Sequence, residues 1–465
     1  MVFNSQIFLF LLLPLCLALY YSIHAKFRNL ILLLFSFVFY VWAESTYFWL
    51  IIASILFNYG FGILLSKSKK KYPLLFFSVF VNIGVLLFYK YSGFFCQTFH
   101  VKSDYLSHLI LPLGISFYTF HSISYLIDIY RGKANPQTNL VKMGLYIVNF
   151  PQLIAGPIIR YHDVEKQLSF RNHISNKFRN GLKLFIYGLA KKMLIANTVG
   201  IMADVIFDKS FGSYSSLYAW IGVFSYTLQI YFDFSGYSDM AIGLGRMFGF
   251  NFKENFNLPY STLSVRDFWQ RWHISLSSWF KDYVYIPLGG NRKGNVRTAF
   301  NLILVFVLCG FWHGASFTFL IWGLFHGTFL VIERIFNPTF FNKIPRIIKH
   351  LYLWFVIMIG WVFFRSNTIE ESFQIIQKLF YIVPKSITTP DVKSFMSTYF
   401  ICISILGLII SLGLIKKWML FVLKSKHLTV IRYRYLETGL LLILFVASVL
   451  EIINNSYNPF IYYRF

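Results

Sequence analysis

At 465 residues, 57% of them hydrophobic and only 13% charged, with a mean hydropathy of +0.59, the chain is excluded from the soluble globular class and reads as an integral membrane protein. The net charge of +25, from 43 basic and 18 acidic residues, does not point to nucleic acid: the basic residues sit in short clusters between apolar spans, as the positive-inside rule requires, and not on one face. The 31 tyrosines and 55 phenylalanines exceed what packing needs, and many stand at span ends, where aromatic belts form.

In chain order, the first apolar stretch, Ile7 to Tyr21, has no basic n-region and no small-residue cleavage site. It reads as a retained span, not a signal peptide. Further spans are expected at about 30–43, 47–65, 73–92, 108–129, 181–206, 215–243, 298–312, 316–333, 348–364, 397–415 and 433–451, roughly twelve in all. The basic segments Lys26/Arg28, Lys67 to Lys71, 160–180, 246–297, 334–349 and 416–434 then fall together on the cytoplasmic side and both termini face outward. The outer loops near 93–107 and 207–214 carry almost no net charge, which agrees with that orientation. With no repeat or low-complexity linker, residues 1–465 are expected to form a single transmembrane domain. Cys16, Cys96, Cys309 and Cys402 lie in or beside apolar stretches without metal or disulfide spacing, and no metal site is expected.

Two stretches break the pattern of simple spans. Asn149 to Arg160 carries two prolines and a glycine within seven residues, which forbids a regular helix and predicts a re-entrant or broken segment lined by protein or water. Asn255 to Arg292 is too polar to span; Trp269, Trp272, Leu276 and Trp279 fall at helical spacing among Arg266, Arg271 and Lys281. That pattern predicts an amphipathic helix in the interface, with His273 inside it.

Ionisable groups inside spans are costly and need a use or a partner. Asp233 and Asp239 flank Gly236 in an apolar span, and Arg246 or Arg271 are the expected partners; a helix-pinning ion pair and a direct catalytic role both fit. In Gly310-Phe-Trp-His-Gly314, His313 interrupts the apolar run 300–331 between two glycines that let the backbone break. A reactive pocket at membrane depth and a helix-packing histidine are the two readings that this run alone allows. His326 is a further candidate for the same pocket, and Cys309, one helical turn before His313, is either an acyl-relay thiol or a packing residue. His121 reads as structural.

The run Phe268-Trp-Gln-Arg-Trp-His-Ile-Ser-Leu-Ser-Ser-Trp-Phe280, with Lys281 to Arg292 after it and then Trp312-His313-Gly314, resembles the membrane-bound O-acyltransferase (MBOAT) family, in its bacterial alginate O-acetylation branch. Pro151 to Arg160, Asp233 to Asp239, Asn255 to Tyr260 and the C-terminal Phe460 to Phe465 carry the resemblance over nearly the whole chain.

The resemblance implies an all-α polytopic membrane protein, a ring of about 11–12 tilted transmembrane helices with re-entrant and interfacial helices around a central funnel. It also implies His313 as the catalytic residue and His273 as a second, supporting histidine. Chemistry makes the same choice: acyl transfer needs a base near neutral pKa, and imidazole is the side chain poised there. His313 is expected to act as that base and not to carry the acyl group. Trp312 would wall the pocket, and Arg266, Arg271 and Lys281 are candidates for holding the phosphates of the donor.

The expected activity is movement of an acetyl group from a cytoplasmic donor, acetyl-CoA, across a bacterial inner membrane for O-acetylation of a cell-surface polysaccharide. The implied partner is a periplasmic SGNH-type transferase with a serine nucleophile, and no bound cofactor or nucleic acid is expected. The rival readings are a membrane transporter without covalent chemistry and an acyltransferase acting directly on a lipid or a peptide.

Overall fold

The computed structural model describes residues 2–107, 109–154, 156–208, 215–336, 343–381, 396–418, 430–454, 457 and 459. The C-terminal motif Phe460 to Phe465, most of the loop 207–214, most of the basic stretch 416–434 and part of 334–349 lie outside those residues. Among the described residues there is no β-strand, and each of the twelve expected spans is a helix. Eight are long and apolar enough to cross a membrane and two more are shorter apolar helices. The remaining two, Ile115–Tyr130 and Ser216–Met247, are largely buried and rich in polar side chains. The chain is a multi-pass membrane protein.

Contacts group the chain into two compact units, residues 1–185 with 237–253 and residues 186–236 with 254–465. The first contains α1 (Phe8–Ser22), α2 (Arg28–Ala43), α3 (Phe48–Lys67), α4 (Lys71–Thr98) and α5 (Ile115–Tyr130). Helix α5 starts later than hydropathy predicts, because Gly114 takes a left-handed φ of 71° and ends the preceding loop. A side chain at Gly114 would also meet the Leu153 carbonyl oxygen at 2.8 Å.

The expected broken segment is present. Helix α6 (Leu140–Val148) stops at Asn149, a single turn follows at Phe150–Leu153, and the described residues between that turn and α7 (Tyr161–Ser169) are not helical. Backbone groups freed by the break are met inside the protein: Phe150 N–H donates to Ser36 Oγ at 3.1 Å, and Ile159 N–H donates to His121 Nε2 at 3.2 Å. Irregular backbone at membrane depth is tolerated only on such terms.

Helices α8 (Ser175–Phe207) and α9 (Ser216–Met247) contribute residues to both units. The second unit also holds α10 (Val265–Arg271), α11 (Ile274–Phe280), α12 (Gly294–His313), α13 (Phe317–Ile335), α14 (Arg346–Arg365), α15 (Ile369–Phe380), α16 (Thr398–Ser411) and α17 (Val430–Asn454). Helices α12 and α13 form a hairpin whose backbones touch: Gly310 faces the Phe319 carbonyl oxygen and Gly323 the Phe306 carbonyl oxygen, positions where no Cβ fits. Small residues at crossing points are how membrane helices gain close packing.

The aromatic run 265–280 departs from the single continuous helix that its spacing predicts. It forms two short helices broken at His273, whose φ of 44° and ψ of 54° are left-handed. Neighbouring backbone imposes the break, since Ile274 N–H donates to the Asn255 carbonyl and Asn257 N–H donates to the Arg271 carbonyl, both at 3.0 Å. Trp269, Trp272, Leu276 and Trp279 are all buried by protein. At the other end, Glu333 of α13 accepts from the Val265 and Arg266 N–H groups at 2.6 and 2.9 Å and fixes the start of α10.

Candidate active site

His313 is the last residue of α12; Gly314 follows in an extended conformation, and Ser316 caps α13 by accepting from Thr318 N–H. His313 is 5% exposed. Its ring is boxed by Trp312 at 4.9 Å, Trp322 of α13 at 5.3 Å and Phe364 of α14 at 5.1 Å, centroid to centroid. The next residue, Arg365, donates to Asp204 Oδ1 at 2.9 Å and to Asp208 Oδ1 at 3.2 Å, which ties the end of α14 to α8 and holds Phe364 in place.

The second histidine reaches the same cluster through Trp312, whose ring lies 6.3 Å from that of His273. Proton bookkeeping fixes the state of His273. Ser275 N–H and Ser275 O–H both donate to Asn255 Oδ1, at 3.1 and 2.8 Å, and a backbone N–H must face the oxygen of that amide. His273 Nδ1, 3.2 Å from the same oxygen, is therefore the protonated nitrogen and donates. Nε2 then carries the lone pair, is buried, and has no hydrogen-bond partner among the described residues. Phe234 stands edge-on to the ring at 4.6 Å.

Not all sequence candidates join this cluster. Asp233 pairs with Lys192 at 2.6 Å, both nearly solvent-free, and not with the expected Arg246 or Arg271. Lys192 comes from a π-helical turn of α8 that brings its ammonium to α9, and it also donates to the Pro459 carbonyl. Asp239 belongs to the other unit. His326 is fully buried against Trp269 at 5.0 Å and Trp322 at 5.3 Å, so Trp322 has an imidazole beside it on two sides. Cys309 is buried one turn before His313.

Arg266, Arg271 and Lys281 are all exposed. Because Glu333 already occupies the first amides of α10, only side chains remain there for an anion. No group of three histidine, cysteine, aspartate or glutamate side chains suited to a metal ion occurs among the described residues. Asn255, Phe234, Lys192, Trp322 and Phe364 escaped the sequence reading. Of these Asn255 and Phe234 carried a signal, as the first residue of the Asn-Phe-Asn-Leu-Pro-Tyr motif and a member of the Asp233 to Asp239 motif.

Among the described residues, helices of membrane length and two buried histidines set among the aromatic rings of the second unit define a polytopic membrane protein with a base-bearing interior. The chain belongs to the membrane-bound O-acyltransferase (MBOAT) family, whose model matches residues 133–368, and it is an O-acyltransferase. Both histidines lie within the matched region. The chain is 38% identical to a probable alginate O-acetylase of Pseudomonas putida over 100% of both proteins. It is also 38% identical to a peptidoglycan O-acetyltransferase of Helicobacter pylori, over 81% of this chain and 79% of that protein. A teichoic acid D-alanyltransferase of Bacillus subtilis is 31% identical over 50% of this chain and 60% of its own.

Proposed function

We propose that this protein takes acetyl groups from acetyl-CoA on the cytoplasmic side of a bacterial inner membrane and passes them outward for O-acetylation of a cell-surface polysaccharide. His313 is the catalytic base and His273 its supporting partner. The observation that carries this reading is the aromatic box that holds both imidazoles against Trp312, in a chain whose relatives include an alginate and a peptidoglycan O-acetyltransferase.

The chemistry follows from the side chains. An acceptor hydroxyl gives its proton to imidazole as its oxygen attacks the thioester carbonyl; the carbon–sulfur bond then breaks and the thiolate leaves with the proton. A dry aromatic box excludes competing water and strengthens every dipole aimed at the developing oxyanion. The final acceptor is reached through a periplasmic SGNH-type transferase whose serine takes the acetyl group.

The test is the O-acetyl content of each purified surface polysaccharide from cells expressing wild type or His313→Ala at matched membrane levels. Loss of ester in one polymer fraction supports the reading and identifies the acceptor. Unchanged acetylation removes His313 from the chemistry. Deleting the candidate periplasmic transferase separately must also abolish the ester; product made without it would favour direct acylation by this chain.

A further inference from the structure

In the first unit, Arg28, Arg171 and Lys177 converge on His173, and none of the three has a carboxylate within 4.0 Å among the described residues. Neutral acceptors hold them instead. Arg171 donates to the Gln167 carbonyl at 2.9 Å, to Asn29 Oδ1 at 2.6 Å and to the Tyr20 phenol at 3.2 Å. Lys177 donates to the Gly249 carbonyl. Arg28 donates to His173 Nδ1 at 3.2 Å, so Nε2 carries the ring proton and donates to Tyr20 Oη at 2.8 Å, and Tyr20 O–H donates to the Phe248 carbonyl at 2.9 Å.

Gly249, with φ of +87°, closes the knot: a Cβ there would lie 3.0 Å from His173 Nε2 and 3.1 Å from Arg171 Cβ. The Nε atoms of Arg28 and Arg171 are buried with no acceptor among the described residues. Burial, and then the Arg28 and Arg171 charges, hold the His173 pKa below its ordinary value. Three cations are thus fixed close together by groups that neutralise none of them, an arrangement that an anion completes.

Position indicates which anion. Tyr20 stands at the end of α1, Arg28 at the start of α2 and Lys177 in the first turn of α8, all on the side that the positive-inside rule assigns to the cytoplasm. Around them Phe27, Phe170 and Ile174 are 46%, 74% and 57% exposed, as side chains facing lipid would be. We propose that Arg28, Arg171 and Lys177 form a binding site for the phosphodiester headgroup of an anionic phospholipid, with Phe27, Phe170 and Ile174 against its acyl chains. Basic pockets between span ends are the recurring form of such sites.

The test uses the full-length protein in nanodiscs of phosphatidylcholine, with or without phosphatidylglycerol. Phosphatidylglycerol is expected to raise the melting temperature of wild type and to be retained in native mass spectra. Affinity should fall about fivefold for each cation removed, in Arg28→Gln/Arg171→Gln and in Lys177→Gln. Lys177→Gln removes only the bond to the Gly249 carbonyl and keeps the test decisive if the arginine variant fails to fold.

Neutralising Lys69, Lys70 and Lys71 together should leave binding unchanged. An equal loss in that control would mean general surface charge and would overturn the site, as would undiminished retention in the Arg28, Arg171 and Lys177 variants. Inorganic phosphate or coenzyme A reproducing the whole melting shift in lipid-free detergent would overturn the lipid assignment in favour of a soluble phosphate.

Discussion

Asn255 Oδ1 accepts the Nδ1 proton of His273 at 3.2 Å while it also accepts from Ser275, so one amide oxygen sets which imidazole nitrogen keeps its lone pair. A histidine without such an orienter samples both tautomers and loses alignment. Asn255→Ala is expected to lower acetyl transfer about 10–100-fold at matched protein levels, together with a drop in melting temperature from the donors it strands. Asn255→Asp, which keeps an acceptor there, should restore part of the rate. Equal losses in both variants would assign Asn255 to packing.

Trp312 is the ring shared by the two histidines, at 6.3 Å from one and 4.9 Å from the other. Trp312→Phe keeps an aromatic wall and should retain measurable transfer. Trp312→Ala opens a cavity that costs about 3–5 kcal/mol and admits water, and should fall to the level of His313→Ala. Transfer rates in membranes with matched protein levels decide between these outcomes.

The Lys192–Asp233 pair is buried at 3% and 1% side-chain exposure. Removing one partner strands a charge, at a cost of about 3–5 kcal/mol. Lys192→Met should therefore melt well below wild type in detergent, and Lys192→Met/Asp233→Asn should recover most of the loss. Identical melting of the single and double variants would show that the two residues are uncoupled.

Gly323 lies against the Phe306 carbonyl oxygen across the α12–α13 hairpin. Gly323→Ala forces the helices apart at a cost of about 1–3 kcal/mol and shifts Trp322, which packs on His313. Transfer should drop together with the melting temperature. Leu324→Ala, at a neighbouring exposed position, serves as the control and should change neither.

Outside the spans, Asp163 receives hydrogen bonds from Lys253 at 2.6 Å and from Arg160 at 2.9 Å. Burial alone would raise its pKa, but those two cations outweigh burial and hold it below the usual 3.8. A depressed carboxyl stabilises fully above its unfolded pKa, and that contribution is lost as pH falls through the folded value. Because Lys253 is 64% exposed, the effect is at most about 1 kcal/mol. The melting difference between wild type and Lys253→Met should be present at neutral pH and fade as the pH falls below the ordinary carboxylate value and through the depressed folded-state one.

Much of this architecture was legible in residue order alone. The bilayer demands about twenty apolar residues per crossing, a one-dimensional property, and each of the twelve expected spans corresponds to a helix. The break at Asn149 to Arg160 was likewise written in proline and glycine, which act on their own backbone. The Gly310 to Gly314 stretch announced the end of α12, and His313 with it.

Tertiary structure alone decided the partners. Asp233 meets Lys192, 41 positions earlier, because a π-helical turn of α8 carries that lysine to α9, a geometry no charge pattern encodes. The left-handed break at His273 was hidden inside a perfect helical spacing, because periodicity records which residues are apolar and not the sign of φ. The sequence by itself determined where apolar helices long enough to cross a membrane fall and which imidazoles they carry, because hydropathy is a local property; only packing of distant segments could set which nitrogen of His273 keeps its lone pair.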